Sequence, residues 1–573
     1  MTETPRAEEP MKRILVVDCN AQGRTGRKST LDVIGVGPRL VASLLDKLGF
    51  DVVLLPYTSI VKALSRVKEF DLLAVSAMTG DEEAVLHVLT AWRRRSRGLA
   101  IVGGPIALDM EKVITELGFD IAVVGEGELP LLRLAEEGIL ELPPSAALEQ
   151  LSNKPVPGVA PRSPSGAVHW GRSPVTPRDL LNRYRPRPDY VKSYPWYWGS
   201  RVYVEVVRGC SNFYRPTLRL PDGRKCVGCG ACRAGELAQR IACPLDIPPG
   251  CGYCSVPNFH GWPRSIDKYV IYEEVKKLVE QGATRIVLSA PDFLDYGRDL
   301  LVAPKPLTDP RNPPPNLAEI ESLLKLLHSI PEISGGEVKL MVENVKPNLV
   351  TREVAEVLGR YLEGTPVYIG LETGDPELHS ALGRPSTVEE CLRAVKLLAE
   401  YGLRPYVYLL HGLPGERDEH LIETARLVPE LKKLGVERIV LYRFRPLPGS
   451  AFENAKPPPP AVTRPAARSL YEAVKKFNEE QKKLLLNRVL EAAIVSTYRR
   501  RFLVAYPLAH GPTILVEGPG DAIGCIARIR VTEVVSDRLV KGRILEILKC
   551  VDAAAPTIKH ATQKLRRGRS DAR

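Results

Sequence analysis

Long apolar runs are missing from this sequence. The most apolar stretches, such as ILVVD near residue 14 and IAVVG near 121, have strand length and fall far short of the roughly 20 residues that a membrane-spanning helix needs. No transmembrane helix is expected. An apolar leader is missing too: the first ten residues are polar, which points to neither secretion nor an oxidising destination and leaves the cytoplasm as the expected location. The bias of a disordered chain is also lacking, since hydrophobic residues make up 44% and charged residues 26% of the sequence, as in soluble globular proteins. At 573 residues the chain exceeds the size at which one core keeps growing, so several domains are expected.

From Lys12 to about Leu140, short apolar runs (RILVVD, DVVLLP, DLLAVSAM, LAIVGGP, DIAVVGEGE) alternate with amphipathic helical stretches. Continuous apolar strands separated by helices imply a parallel sheet covered on both faces, a Rossmann-like or flavodoxin-like doubly wound domain over 11–145. Residues 146–200, rich in Pro, Arg and aromatics, read as a linker. A second alternation over 201–455, with strands at VYVEVV, RIVLSA, VKLMVEN, VYIGLE, RPYVYLL and RIVLYRF, predicts a full or partial (β/α) barrel with its active site at the C-terminal strand ends. Lys456 and the four prolines after it predict a stiff hinge followed by a helix, hinge and helix together taking 456–486. A small β-barrel is predicted over 487–550 and a basic disordered tail over 551–573. The fold class is therefore α/β with a small all-β domain at the C-terminal end.

Charge is uneven. From Lys456 to Arg573, 23 Lys and Arg face 11 Asp and Glu, whereas before Lys456 the count is 57 against 57. The whole excess of +12 sits in the last fifth of the chain, which suggests an anionic partner there, nucleic acid first among the candidates; a solvated basic face is the plain alternative.

Seven of the eleven cysteines crowd between Cys210 and Cys254, which in a reducing compartment reads as metal or cluster ligation. Cys210 follows the first barrel strand in YVEVVRGC, and Cys251 and Cys254 stand in GCGYCSVP before the next helix. Three thiolates on a four-iron cluster leave one iron open for the amino and carboxylate groups of a substrate. Between them, CVGCGAC supplies Cys226, Cys229 and Cys232, and Cys243 precedes Pro244. Four thiolates close a cluster and suit electron transfer; a four-thiolate zinc knuckle uses similar spacings. Cys243 also lies upstream of the C-x2-C pair and is the alternative to Cys210 as third member of the first trio.

VRGC, CGYCSVP and the strands that follow resemble the radical S-adenosylmethionine (SAM) superfamily over roughly residues 200–452. The family usually places three residues between its first two cysteines; here 40, Ser211 to Gly250, form an inserted cassette. The resemblance implies a SAM-binding 4Fe-4S cluster on Cys210, Cys251 and Cys254, an auxiliary cluster on Cys226, Cys229, Cys232 and Cys243, a 5'-deoxyadenosyl radical as the reactive species, and an electron donor such as ferredoxin or flavodoxin. It further implies a cofactor pocket: Ser289, Ala290, Pro291 and Asp292 near the methionine amino group; Glu343 and Asn344; Glu372, Thr373 and Gly374 with Arg384 near ribose or carboxylate; and Gly412, Leu413, Pro414, Gly415 and Glu416 as an adenine-binding turn. His411 has no assigned role.

The flanks carry further resemblances. VGGP (Gly103, Gly104, Pro105) and VGEGE (Gly125 to Glu128) are similar to a cobalamin-binding-like domain, but no D-x-H-x-x-G signature offers cobalt an axial histidine; a scaffold without cofactor is the alternative. In the related tRNA methylthiotransferases a different N-terminal domain carries three cluster cysteines, where this chain has only Cys19. LNRVLEAAIV and TILVEGPGDAIGCIARIRVTEVVSDRLVKGRIL resemble the RNA-binding TRAM domain. That resemblance implies phosphate contacts from Arg499, Arg500, Arg501, Arg528, Arg530, Arg538, Lys541 and Arg543, and base stacking on Tyr498, Phe502 and Tyr506, with core packing the alternative for at least one aromatic. The expected function is a radical enzyme that modifies RNA, tRNA foremost, by methylthiolation, methylation or another C-H functionalisation. A radical enzyme acting on a lipid, peptide or small metabolite and a redox-sensing RNA-binding iron-sulfur protein are the rivals.

Overall fold

The computed structural model describes residues 11–20, 32–163, 171, 173–498, 501–518 and 520–550. Arg499, Arg500 and the tail at 551–573 lie outside the described residues. The chain divides into two compact units between Pro195 and Trp196.

The first unit is built on a six-stranded sheet of β1 (Arg13–Asp18), β2 (Asp51–Pro56), β3 (Leu72–Ser76), β4 (Leu99–Gly103), β5 (Ile121–Val123) and β6 (Val159–Pro161), in the order β2-β1-β3-β4-β5-β6. The first five are parallel. Their near-continuous burial is what apolar runs covered on both faces produce, and the 2-1-3-4-5 order is flavodoxin-like, with its switch point between β1 and β3. The stretch 146–200 is not the plain linker expected. Helix Pro144–Asn153 precedes β6, and β6 pairs antiparallel with β5. Pro161 is tolerated because β6 is an edge strand whose outer N–H needs no partner.

The second unit begins with six strands in chain order: β7 (Arg201–Glu205), β8 (Arg285–Ser289), β9 (Lys339–Val342), β10 (Pro366–Glu372), β11 (Arg404–His411) and β12 (Arg438–Arg443). β7, β8 and β9 pair in parallel, as do β10, β11 and β12; one parallel bridge, Asn344 to Tyr368, joins the two sets. This is the partial barrel. Helices connect the strands, and their starts are written locally: Asp267 accepts from the Tyr269 amide (2.8 Å), while Thr387 and Glu390 form a reciprocal capping box. The exposed edge of β12 is held by helix Pro465–Lys483, whose Asn478 accepts from the Ile439 amide (3.1 Å) and donates to its carbonyl (2.7 Å).

The predicted C-terminal barrel is closed: β13 (Val489–Tyr498), β14 (Phe502–Pro507), β15 (Thr513–Glu517), β16 (Cys525–Val534) and β17 (Leu539–Cys550) run in the order β13-β14-β15-β17-β16. Alternate residues such as Ile494, Leu503, Ala505, Ile514, Ile529 and Val540 fill it. Outside, Tyr506 is buried with Trp198, Val495 and Val504, and Tyr498 and Phe502 pack on the same cluster. Tyr506 is thus a core residue, and the expected stacking platform is largely spent on attaching the barrel. Buried Arg285, at the start of β8, donates to the carbonyls of Leu508 (3.1 Å) and Gly199 (3.2 Å) and fixes the same junction. A disulfide, Cys525 to Cys550, links the ends of β16 and β17; the sequence pattern assigned these two cysteines no pairing. Among the described residues no helix is long and apolar enough to cross a membrane.

Candidate radical site

Backbone demands set the cysteine positions. Before Cys210, the short strand Val207–Arg208 pairs with Arg264–Ser265, and Gly209 has φ +88° with the Trp262 carbonyl oxygen 2.1 Å from where a Cβ would lie. Only glycine fits there. The Cys254 amide donates to the Cys251 carbonyl (2.8 Å), and Gly252 between them abuts the Phe452 ring so closely that a Cβ would sit 2.4 Å from it. The structure brings Cys210, Cys251 and Cys254 together. Burial, then Cys251, then Cys210 push the Cys254 thiol up to about 12, and burial pushes Cys210 up to about 11 against the pull of Lys346. A raised thiol favours its proton, so Cys210 and Cys254 would give theirs up on binding a metal centre.

Beneath Cys210 lies a network that no sequence motif announced. Lys346 donates to Asp295 (2.6 Å), Asp292 (2.9 Å) and the Ser211 hydroxyl (3.0 Å). Arg298 donates to Asp295 (2.5 Å), and the Ser211 amide and hydroxyl donate to Asp295 at 3.2 and 2.9 Å. Asp292, Asp295 and Arg298 are fully buried. Asp292 also accepts from the amides of Leu294 and Lys346, so its carboxylate serves this network. On the other side, the Asn212 amide group donates to Cys251 sulfur (3.3 Å) and to the Gly383 carbonyl (3.1 Å).

Above the trio, Arg384 donates to the Tyr253 hydroxyl (2.8 Å) and the Gly370 carbonyl, and stands 3.5 Å from Glu372 and 3.8 Å from Cys251 sulfur. Its Nε is buried with no partner among the described residues. An unpaired guanidinium N–H beside the cysteines fits an anionic group such as the carboxylate of SAM. Ser289 donates to Glu343 (2.6 Å), whose carboxyl is pushed up to about 7 by burial, with the Ala290 amide opposing. Other residues of the expected pocket bond within the fold. The Thr373 hydroxyl and Gly374 amide meet Thr424 (3.2 and 2.8 Å). Glu416 caps its own turn, both oxygens 3.0 Å from the Gly412 amide, and Pro458 of the proline segment covers Gly412.

The cassette is held differently. Arg215, 3% exposed, donates to four carbonyls: Phe213 (2.7 Å), Arg240 (2.6 Å), Ile241 (2.9 Å) and Ile247 (3.1 Å). Both ends of the insert are thereby tied to one guanidinium. Cys226 and Cys243 pack on a single apolar cluster with Leu220 and Ile247, whereas Cys229 is exposed. Cys243 therefore sits with the cassette and Cys210 with the trio. No three His, Cys, Asp or Glu side chains among the described residues close on a single metal ion; a four-iron cube gives each thiolate its own iron, so its ligands stand further apart.

In the first unit, the strand ends offer bare backbone. Gly104 has φ +85°, and a Cβ there would lie 2.8 Å from the Ala77 carbonyl oxygen; Gly125 has φ +86°. Gly104 is thus required by the close approach of the Ala77 backbone, and Gly125 by its left-handed turn after β5. After β1, Asp18 accepts from the Tyr194 hydroxyl (2.6 Å), Cys19 is fully buried and no histidine stands between Cys19 and Val36. Cobalt would receive no imidazole from that loop.

A flavodoxin-like domain followed by a six-strand partial barrel with a cysteine trio at its C-terminal strand ends defines a two-domain radical enzyme architecture. Residues 242–428 match the radical SAM superfamily and residues 25–135 the B12 binding domain. An uncharacterized protein of Methanopyrus kandleri is 40% identical over 95% of this chain and 98% of its own length. The tRNA-2-methylthio-N(6)-dimethylallyladenosine synthase of Aliarcobacter butzleri is 24% identical over 52% of this chain and 64% of its own. The solved structure of the radical SAM methyltransferase TsrM from Kitasatospora setae, with cobalamin and a 4Fe-4S cluster bound, is similar in fold, with a TM-score of 0.54 at 18% identity over 77% of each chain. The chain is a radical SAM superfamily enzyme with a B12 binding domain, and it belongs to one family with the Methanopyrus protein along its whole length.

Proposed function

We propose that this enzyme functionalises an unactivated C-H position of RNA, tRNA being the substrate class, by methylation or methylthiolation. The observation that carries the reading is the attachment of a closed barrel, lying within the basic last fifth of the chain, to the base of the radical domain through Arg285 and Trp198. Cys210, Cys251 and Cys254 would hold the SAM cluster, Arg384 and Glu343 would orient SAM, and the four cassette cysteines would hold the auxiliary cluster. When bound, these groups supply one-electron cleavage of SAM and hydrogen abstraction; the protein's own residues position the substrate and exclude water. The relatives that transfer methyl or methylthio groups support the transfer chemistry. The glycine-lined strand ends of the first unit favour methylation with cobalamin as carrier, and an external ferredoxin or flavodoxin would supply electrons.

Comparison of tRNA nucleosides by mass spectrometry, from cells with and without the gene, tests the proposal. One methylated or methylthiolated nucleoside should vanish with the gene and return when purified, reconstituted enzyme is added to the unmodified tRNA. Unchanged nucleosides, together with SAM cleavage that RNA does not stimulate, would move a lipid, peptide or metabolite substrate ahead.

A further inference from the structure

A second cleft lies at the opposite end of the barrel strands. It measures about 400 Å³ and is lined by Arg404, Glu437, Gln481, Arg488, Val489 and His510, among others. Arg404 opens β11, whose other end leads into the Gly412 turn beside the candidate cofactor pocket, so the cleft stands roughly 23 Å along the strand from that end. Its far wall is the turn from helix Pro465–Lys483 into β13, pinned where the Asn487 amide donates to the Val531 carbonyl (2.9 Å). With Arg285 tying β8 to Leu508 close by, the cleft is a fixed feature of the junction.

Its lining is net positive. Exposed Arg404 and, from outside the lining, buried Lys482 act on Glu437, the one carboxylate that lines it, and His510 is held neutral by burial with Arg404 and Lys482 facing it. Among the lining residues two cations, Arg404 and Arg488, stand against one carboxylate. Val489 of the lining pairs directly across the barrel with Arg530, and Arg530 pairs directly with Arg543. Directly opposed residues project from the same face, so the two exposed arginines continue outward from the cleft.

The eight basic residues expected to meet RNA separate here. Arg501 is paired with Glu517 (3.0 Å), Arg528 with Glu546 (2.9 Å) and Glu491 (3.4 Å), Arg538 with Asp537 (3.4 Å), and Lys541 with Glu533 (2.8 Å). Arg530 and Arg543, like Arg404 and Arg488, make no ion pair among the described residues. Arg499 and Arg500 are outside them. Two arginines facing each other across adjacent strands destabilise the bare barrel, and a row of phosphates is the ligand that would relieve them.

We propose that Arg404, Arg488, Arg530 and Arg543 form a phosphate track that grips the RNA backbone at the end of the barrel remote from the radical chemistry. The proposal rests on the RNA reading above and goes further by naming the surface. A ligand must be long to occupy this track and the radical end together, which suits a folded RNA and excludes a small metabolite. Contacts there give affinity without touching the reacting base, and binding energy from remote contacts can be spent on orientation at the reacting centre.

The test uses the full-length, cluster-loaded protein and fluorescein-labelled bulk tRNA, with anisotropy read over a range of salt. The double variants R404A/R488A and R530A/R543A should each weaken binding at least tenfold, and each should lower the salt slope by roughly 0.7 for every phosphate left unneutralised. The double variant R528A/K541A, which removes ion-paired cations, should change affinity by less than about twofold. Iron content and thermal unfolding should match the wild type in all three. Wild-type affinity and salt slope in R404A/R488A, or equal losses in all three variants, would overturn the track while leaving RNA as substrate. A wild-type protein that binds no tRNA, or that releases it as readily to polyglutamate as to unlabelled tRNA, would overturn both.

Discussion

The two cysteine groups between Cys210 and Cys254 are held by opposite means. Behind Cys210, four charged side chains, Asp292, Asp295, Arg298 and Lys346, neutralise one another in a buried network and lock Ser211 from both its amide and its hydroxyl. Among the described residues the cassette has no fully buried network of this kind; Arg215 collects the carbonyls at both its ends, Arg224 binds those of Leu245 and Asp246 while paired with Asp222, and Cys229 stands in solvent. Ion networks fix a position against large displacement, because removing any member strands the others. Carbonyls tied to one side chain keep a segment attached and leave its surface free. One group is thus fixed in position, while the other is attached with part of its surface exposed.

The largest effect should come from the cysteines themselves. Anaerobically reconstituted protein should carry about eight irons, two clusters of four. C251A/C254A should lose half of them and all 5'-deoxyadenosine formation, whereas C226A/C229A should lose the other half and keep SAM cleavage. A four-iron protein with tightly bound zinc would break the comparison by making the cassette a structural knot. Next in size is the contrast between anchors. Lys346→Met leaves two carboxylates buried against one arginine and should destabilise the second unit by about 3–5 kcal/mol in denaturant unfolding. Arg215→Met should cost about 1–3 kcal/mol, with limited proteolysis cutting within 216–246 before the barrel is attacked. Equal effects in the two variants would mean that the anchors do not differ in kind.

The smallest effect is in pH. The carboxyl of Glu343 is raised to about 7, mainly by burial, and that of Glu416 likewise. A raised carboxyl contributes its stability in full below the ordinary carboxylate range and loses it as pH climbs through about 7. Melting temperature should therefore fall between about pH 5 and 8, and E343Q should flatten part of that slope. An unchanged slope in E343Q would show that Glu343 is already ionised in the folded protein.

The alternation of apolar runs was legible from the order of residues, because parallel strands buried on both faces must be apolar throughout. So was the crowding of seven cysteines between Cys210 and Cys254, but not its partition, since Cys210 and Cys243 both precede the C-x2-C pair. The anchors were not. Lys346 stands two residues after Asn344 and reads as an ordinary surface lysine until β9 carries it against Asp292 and Asp295. Arg215 lies in a segment without periodicity, and its four acceptors are main-chain carbonyls, which leave no trace in side-chain identity. Thr373, Gly374 and Glu416 were singled out by their positions after strands, but that the first two meet Thr424 and that Glu416 caps the Gly412 turn was not legible.

By itself the sequence determined the elements, the order of the domains and the identity of the thiols, because hydrophobic period, turn chemistry and ligand spacing are local properties. Tertiary structure decided which residues share a neighbourhood: that Cys210 belongs with Cys251 and Cys254 while Cys243 belongs with Cys226, that Tyr506 is core, and that Arg530 and Arg543 remain unneutralised while Arg528 and Lys541 do not. Those outcomes depend on strand register and on which element packs against which. Burial and pairing are properties of neighbours distant in sequence, which no local pattern records.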